Sequence, residues 1–395
     1  MIDINDVVIL GMGRTPRGKF GGTLRSMGPT ELAAAVMPKV LARAGVKPEQ
    51  VDLVLLGHCR PAGLGGDSAR VAALRGGMPI DVPVVTVQMA CVSAMQAVML
   101  GIQAIRLGDA DVVVAGGMES MSSACFLLGP EARWGLRHGA VTLVDELFIV
   151  DPLGVGGMGQ TAENVAERYG ISKEEQDKFA YESHQKAIKA QDNGWFDDEI
   201  ISIEVPQRGG PPILFSKDEC IRRDTSFEKM LKLPPAFKEG GTVTAGNSSP
   251  LTDGANVIVL TSRKRAEGLG LKPLASFVSY ATAAVDPAYM GIGPTKSIPK
   301  ALEKAGLRLE DIDLIEDNEA FASVVLAVEK ELGIDHKKLN IHGGALSLGH
   351  PTGSSGSRLL ITLYHALLRT GGKFGLAALC GGTGVTGATI IKVED

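Results

Sequence analysis

A stretch of thirteen residues near the start of the chain returns, altered, in its last third. Leu41-Ala42-Arg43-Ala44-Gly45-Val46-Lys47-Pro48-Glu49-Gln50-Val51-Asp52-Leu53 is matched by Leu302-Glu303-Lys304-Ala305-Gly306-Leu307-Arg308-Leu309-Glu310-Asp311-Ile312-Asp313-Leu314. Each copy is a helix end stopped by glycine, then a polar turn, then an apolar run of strand type. Gly-Pro-Thr precedes both copies, beginning at Gly28 and at Gly293. Matched order within each half predicts a duplication, so the fold is expected to use one unit twice.

At 395 residues the chain is too long for one ordinary core. Apolar runs of strand length fall at Val7–Leu10, Leu53–Leu56, Val82–Val87 and Val112–Ala115, and again at Leu274–Tyr280, Leu314–Ile315, Leu339–Ile341 and Gly375–Leu379. Helical stretches between them predict α/β halves with mixed sheets. The pattern changes between Glu119 and Pro250, where methionines, both tryptophans and Gly/Pro turns gather. Within it, Ser172-x-x-Glu175 is a capping box that opens a helix to about Gln191. The expected division is residues 1–118 with 251–273 as the N-terminal half, 119–250 as an inserted loop domain, and 274–395 as the C-terminal half.

The net charge of −5 argues against a nucleic-acid partner, which needs a basic face. Five cysteines, odd in number and without a CxxC pair, predict neither a disulfide framework nor a metal site. A reducing cytoplasm fits that usage. Met1 to Asp6 lacks a basic region followed by an apolar run, so no signal peptide is expected. Val82 to Ile105 is uncharged and long enough to imitate a membrane span. Gln88, Ser93, Gln96 and Gln103 interrupt it, so it is read as a buried strand followed by a buried helix, with no membrane.

Four separated segments carry reactive side chains among small residues: Gln88 to Ala94 around Cys91, Asn318-Glu319-Ala320-Phe321, Gly349-His350-Pro351-Thr352-Gly353, and Cys380-Gly381-Gly382. Cys91 begins an apolar helical run, where free N–H groups and the macrodipole favour a thiolate and its own N–H can hold an oxyanion. An isolated cysteine is as readily a buried packing residue. His350 precedes a proline suited to a first helical turn, then Gly353 and Gly356, each costing roughly 1 kcal/mol in a helix. A close partner such as a ligand chain on the backbone would account for them. Cys380 ends a strand in a glycine turn, suited to an acid/base; a phosphate loop is the rival, without a lysine to support it. Asn318 can orient a water. Glu319 is either a holder for His350 or a solvated carboxylate.

These segments resemble those of the thiolase family, the acetyl-CoA C-acyltransferases, over nearly the whole chain. Arg14-Thr15-Pro16, Gly116 to Ser122, Met158 to Asn164, Thr244 to Ser249 and Met290 to Pro294 strengthen the likeness. The resemblance implies a five-layered αβαβα core from two duplicated halves, with an inserted loop domain, assembled as a homotetramer or homodimer. It implies Cys91 as the acylated nucleophile, His350 as its activator, and Cys380 as the base for the α-carbon. One oxyanion hole is implied from His350 and an Asn318-held water, another from the N–H groups of Cys91 and Gly382. By position, Arg222 falls near the CoA nucleotide, with Arg223, Lys229 and Lys232 close by; the lysines are equally a solvated face. Phe237, Ala245, Gly246 and Ser249 fall along the pantetheine, Met158 beside the acyl group, and Phe321 among the residues that bind substrate or CoA.

The chain departs from the pattern at Gly157, where short-chain members often have histidine, at Pro250, a common glycine, and at His342, frequently asparagine. The implied activity is acetyl-CoA C-acetyltransferase, acting on acetyl-CoA, 3-ketoacyl-CoA and CoA, with CoA a substrate and no resident cofactor. A broad-chain degradative 3-ketoacyl-CoA thiolase is the alternative. Condensing enzymes of the ketoacyl synthase type use one cysteine with histidines, so Cys380 counts against them; a non-catalytic acyl-CoA carrier has no use for all four groups.

Overall fold

A computed structural model of the chain describes residues 2–135, 138–148 and 153–394. The first half runs through β1 (Val7–Arg14), α1 (Pro29–Ala44), β2 (Leu53–Gly57), α2 (Ser68–Arg75), β3 (Val84–Val87), α3 (Ser93–Leu107) and β4 (Val112–Ser120). A long excursion follows, with helices α4 (Gly157–Tyr169) and α5 (Lys173–Asp192), before β5 (Thr252–Ser262) returns to the sheet. The second half holds β6 (Ala275–Ala284), α6 (Pro294–Ala305), β7 (Leu314–Asp317), α7 (Ala322–Leu332), α8 (Ser355–Thr370), β8 (Phe374–Cys380) and β9 (Val385–Val393).

The strand order is β7-β8-β9-β6-β1-β5-β4-β2-β3, with Gly18–Lys19 pairing on β5. Each half repeats one plan. β1 pairs antiparallel with β5, β5 antiparallel with β4, and β4, β2 and β3 lie parallel. Likewise β6 pairs antiparallel with β9, β9 antiparallel with β8, and β8 parallel with β7. Among the described residues, the strands of the two half-sheets pair with each other where Val8 and Ile9 meet Ser276 and Ala275.

Three apolar clusters give the layers. Met95, Val98 and Ile102 of α3 and Leu359, Leu363 and Leu367 of α8 pack between Val113 and Leu260 of one half-sheet and Ala377, Leu379 and Ile391 of the other. Leu32, Val36 and Val40 of α1 cover the outer face of the first half-sheet at Val54, Leu56, Val114 and Val257. Ile298 of α6 and Val325 and Val328 of α7 cover the second at Ile315, Leu376 and Ile390. The order is helix, sheet, helix, sheet, helix. The apolar run from Ala90 to Leu107 is therefore the central helix, with Met95, Val98 and Ile102 fully buried.

Two sequence expectations change. Leu339–Ile341 is no strand; it contributes one parallel bridge, Leu339 to Ile315, because Asn340 turns left-handed at φ 44° and its side chain bonds the Asp317 backbone instead. Conversely, β5, between β1 and β4, and β9, between β6 and β8, are interior strands of the two half-sheets, yet neither stood out in the sequence. All eleven residues of β5 are buried, so Thr252, Asp253, Gly254 and Asn256 break the apolar run without leaving an alternation to read.

Ser172 and Glu175 form the capping box of α5, with Glu175 N donating to Ser172 Oγ at 3.2 Å and Ser172 N to Glu175 Oε2 at 2.7 Å. The excursion is tied to β1 through the fully buried Arg14, which donates to Glu199 at 2.8 Å and to both Asp218 oxygens at 2.7 and 2.8 Å.

Candidate active site

The duplication sets up the chemistry. Cys91 lies between β3 and the central helix α3; His350 lies between the Leu339 bridge and the central helix α8. The two occupy the same place in each half, and α3 packs against α8.

After Val87 the chain turns through Ala90, left-handed at φ 48°. The Ser93 hydroxyl fixes that turn by donating to Ala90 O at 2.6 Å and accepting from Met89 N at 2.8 Å. Cys91 is thereby presented just ahead of α3. The helix start does not make it a thiolate. Burial pushes the Cys91 thiol up, and the Gly382 N–H directed at its sulfur offsets only part of that. The expectation from the macrodipole is overturned because desolvation of the charged form is the larger effect.

His350 occupies a turn ahead of α8, and the helix begins at Ser355, so Pro351 belongs to the turn rather than to a first helical turn. Its Nδ1 lies 2.7 Å from Ser355 Oγ, whose hydroxyl donates to Pro351 O at 3.0 Å. The hydroxyl therefore accepts from Nδ1–H and leaves Nε2 as the free base. Burial, then Arg358 and Arg17, hold His350 down to about 3, so the ring is neutral. Gly353 and Gly356 do have close partners, but these are protein: the Met118 and Cys59 backbone, and Met95 of α3.

Asn318 Nδ2 sits 3.4 Å from His350 Nε2, and its Oδ1 is buried with no partner among the described residues. Glu319 neither holds His350 nor meets solvent. It is 1% exposed and accepts from Ser183 Oγ at 2.6 Å, Asn340 Nδ2 at 2.9 Å and Leu346 N at 3.1 Å, bracing the backbone that leads to His350. Cys380 ends β8, and its thiol is pushed well up by burial and then by Cys91 and Asp317. Met158, Met290, Ala320 and Phe321 pack around it, and Met158 Sδ approaches Gly382.

Cys91, His350 and Cys380 meet on a cavity of roughly 670 Å³ that Met158, Phe237, Ala245, Ser249, Phe321 and Arg222 also line. Phe237 stands edge-on to Phe321 at 6.0 Å between centroids and lies over the Gly159 backbone. Gly246 is set back from the wall behind Leu233, its N–H given to Thr244 Oγ1 at 3.1 Å. Arg222 reaches the cavity while its own N–H donates to His184. Arg223 turns away to Asp192, and Lys229 caps Asp224 O, as solvated charges do. Pro250 lines the cavity; Gly157, at φ 80°, leaves open space where a side chain would stand. His342 packs against Trp195 and Phe196.

Sequence reasoning passed over Ser355 and Arg60 and gave Met290 no role of its own, though all three are at the site. Nothing in their spacing marks them; each is brought in by tertiary packing.

Family models described as the N-terminal and the C-terminal domain of thiolase match residues 7–264 and 271–393. The acetyl-CoA acetyltransferase of Pseudomonas aeruginosa is 50% identical over 387 residues, 97% of this chain and 98% of its own length. A probable acetyl-CoA acyltransferase of Staphylococcus aureus is 43% identical over 389 residues, 98% of each chain. The crystal structure of the Bacillus anthracis acetyl-CoA acetyltransferase superposes with a TM-score of 0.97 at 46% identity, covering 99% of both chains.

Proposed function

The chain belongs to the thiolase family, a family of acyltransferases, and from that premise we propose that it is an acetyl-CoA C-acetyltransferase, condensing two acetyl-CoA to acetoacetyl-CoA and CoA or running the reverse thiolysis. The observation that carries this reading is the meeting of the Cys91 and Cys380 thiols and the His350 imidazole on a single cavity.

Cys91 attacks the acetyl-CoA carbonyl as its S–H proton passes to His350 Nε2. The tetrahedral oxyanion is held by the N–H groups of Cys91 and Gly382, and CoA leaves with the proton from His350. In the second half-reaction the Cys380 S–H proton passes to His350, free again as a base, and the resulting thiolate takes the α-proton of another acetyl-CoA, the enolate oxygen being held by His350 and a water on Asn318. The carbanion attacks the Cys91 thioester and expels the Cys91 sulfur, which regains its proton from the His350 imidazolium. Thiolysis runs the same steps backwards. Arg222 meets the anionic nucleotide, and Phe237, Ala245 and Ser249 form the pantetheine wall, with Gly246 behind it. CoA comes and goes as substrate, so no resident cofactor is required.

Short acyl chains fit Met158 standing against Gly382 at the reacting end. The broad-chain alternative draws on the open space at Gly157 and on Pro250. An open tunnel gains about 0.8 kcal/mol per added methylene, whereas a closed one loses roughly 1–3 kcal/mol once overpacked. Measured kcat/KM for thiolysis across even chain lengths is expected to fall sharply beyond acetoacetyl-CoA and its near homologues. A steady rise to the longest chains would make this a broad degradative enzyme. A cytoplasmic place agrees with the cysteine usage, and assembly into a homotetramer or homodimer with the exposed Phe126, Leu128, Trp134 and Leu143.

A further inference from the structure

Glu119 is a fully buried carboxylate that the chemistry above does not use. It lies next to the end of β4 at 1% exposure, and no lysine or arginine among the described residues hydrogen-bonds it. Its Oε2 accepts from Thr352 Oγ1 at 2.8 Å, Gly353 N at 2.9 Å and Cys59 N at 3.2 Å, while its Oε1 lies 3.2 Å from His58 Nε2. Thr352 and Gly353 belong to the turn that carries His350; Cys59 follows β2 in the other half, and Thr352 lines the cavity beside Cys91. One oxygen thus fastens the His350 turn to the half that carries Cys91. A buried carboxylate with no lysine or arginine bonded to it is costly unless such donors satisfy it, so a charge kept here calls for a use.

We propose that Glu119 is a positioning residue for acyl transfer: it registers the His350 turn against Cys91, and its charge stabilises the imidazolium that forms when Cys91 gives up its proton. The charge acts on both partners, raising the Cys91 thiol and favouring protonated His350. The other charged groups acting on the two side chains are Arg60 on both, and Arg358 and Arg17 on His350. Glu119 therefore discourages a free thiolate at rest while assisting proton transfer within the pair. Burial works against its carboxylate form, but His58 first, then Thr352 and the Gly353 N–H, outweigh burial and hold it below the usual carboxylate range.

This inference rests on acyl transfer through Cys91, and the experiment separates the two. Rapid-quench intact-mass measurement with acetyl-CoA gives the acetylation rate, and iodoacetamide modification of Cys91 against pH gives the thiol profile. Glu119→Gln keeps the shape and removes the charge; Thr352→Val removes one hydrogen bond and leaves the charge. Glu119→Gln is expected to slow acetylation on the order of 100-fold, as a displacement of about 1 Å does, with KM for acetyl-CoA little changed. Its alkylation profile moves to lower pH, because the repulsion on the Cys91 thiolate is gone. Thr352→Val slows acetylation less and leaves the profile in place. Unchanged acetylation in a folded Glu119→Gln protein, or a profile that does not move, overturns the proposal. So does a slowing matched by an equal loss of acetyl-CoA affinity. Absence of acetylation in the unaltered protein overturns the acyltransfer reading instead.

Discussion

With His350 held to about 3 and the Cys91 thiol pushed up by burial, neither carries charge at neutral pH in the free protein. Proton transfer between them must accompany attack, so the site depends on geometry more than on a standing ion pair. Cys380 stands under the same constraint. Its thiol is already raised well above the ordinary range by burial, and a hydroxyl in its place would be a far weaker acid or base. Cys380→Ser is therefore expected to slow condensation by roughly 10²–10⁴-fold while acetylation of Cys91 proceeds. Following the two half-reactions separately checks this; a parallel fall in both would remove Cys380 from its assigned step. Cys91→Ala, by contrast, should take up no acetyl group at all.

Between elements, the buried pair of Arg358 on α8 and Glu316 on β7, 2.7 Å apart, joins the central helix to the edge of the second half-sheet. Burial already pushes Glu316 up to about 7 despite the guanidinium. Removing the cation alone strands the carboxyl, so Arg358→Leu should lose about 3–5 kcal/mol of stability, most of it regained when Glu316→Leu is added. Denaturant titration of the single and double variants tests this, and equal stability of the two would refute it. The α5 cap is a milder case. Ser172→Ala should cost about 1 kcal/mol, because Glu175 N loses its acceptor at an exposed helix start. A shift beyond several times that value would mean that α5 is coupled to more than its own first turn.

Across the whole molecule, the spacing of the two central helices sets the distance between the halves of the site. A Cβ at Gly356 of α8 would stand 2.6 Å from Met95 N and 2.7 Å from Met95 Cβ on α3, against backbone that has nowhere to go. Gly356→Ala should therefore drive α8 from α3, and with it His350, tied through Ser355, from Cys91. The expected result is a loss of roughly 1–3 kcal/mol in stability and a kcat reduced more than KM, since the wall proposed for CoA is built largely from the insertion. Full kcat in Gly356→Ala would show that the helix spacing does not govern the chemistry.

Much of this was legible in the chain itself, because it is local. The repeated helix end, glycine stop and strand disclosed the duplication, the Ser172 capping box located α5, and the likeness of four short segments to those of thiolases singled out Cys91, His350 and Cys380. What the sequence could not contain was burial. The left-handed Asn340 that ends the Leu339 run, the unalternating β5, and Glu319 bracing a turn instead of touching His350 all depend on segments far away in the chain. The protonation states of the two thiols and the imidazole were decided there as well. A local dipole favours a thiolate at Cys91, but desolvation grows with every layer packed over the site, and only the assembled five layers determine that it prevails.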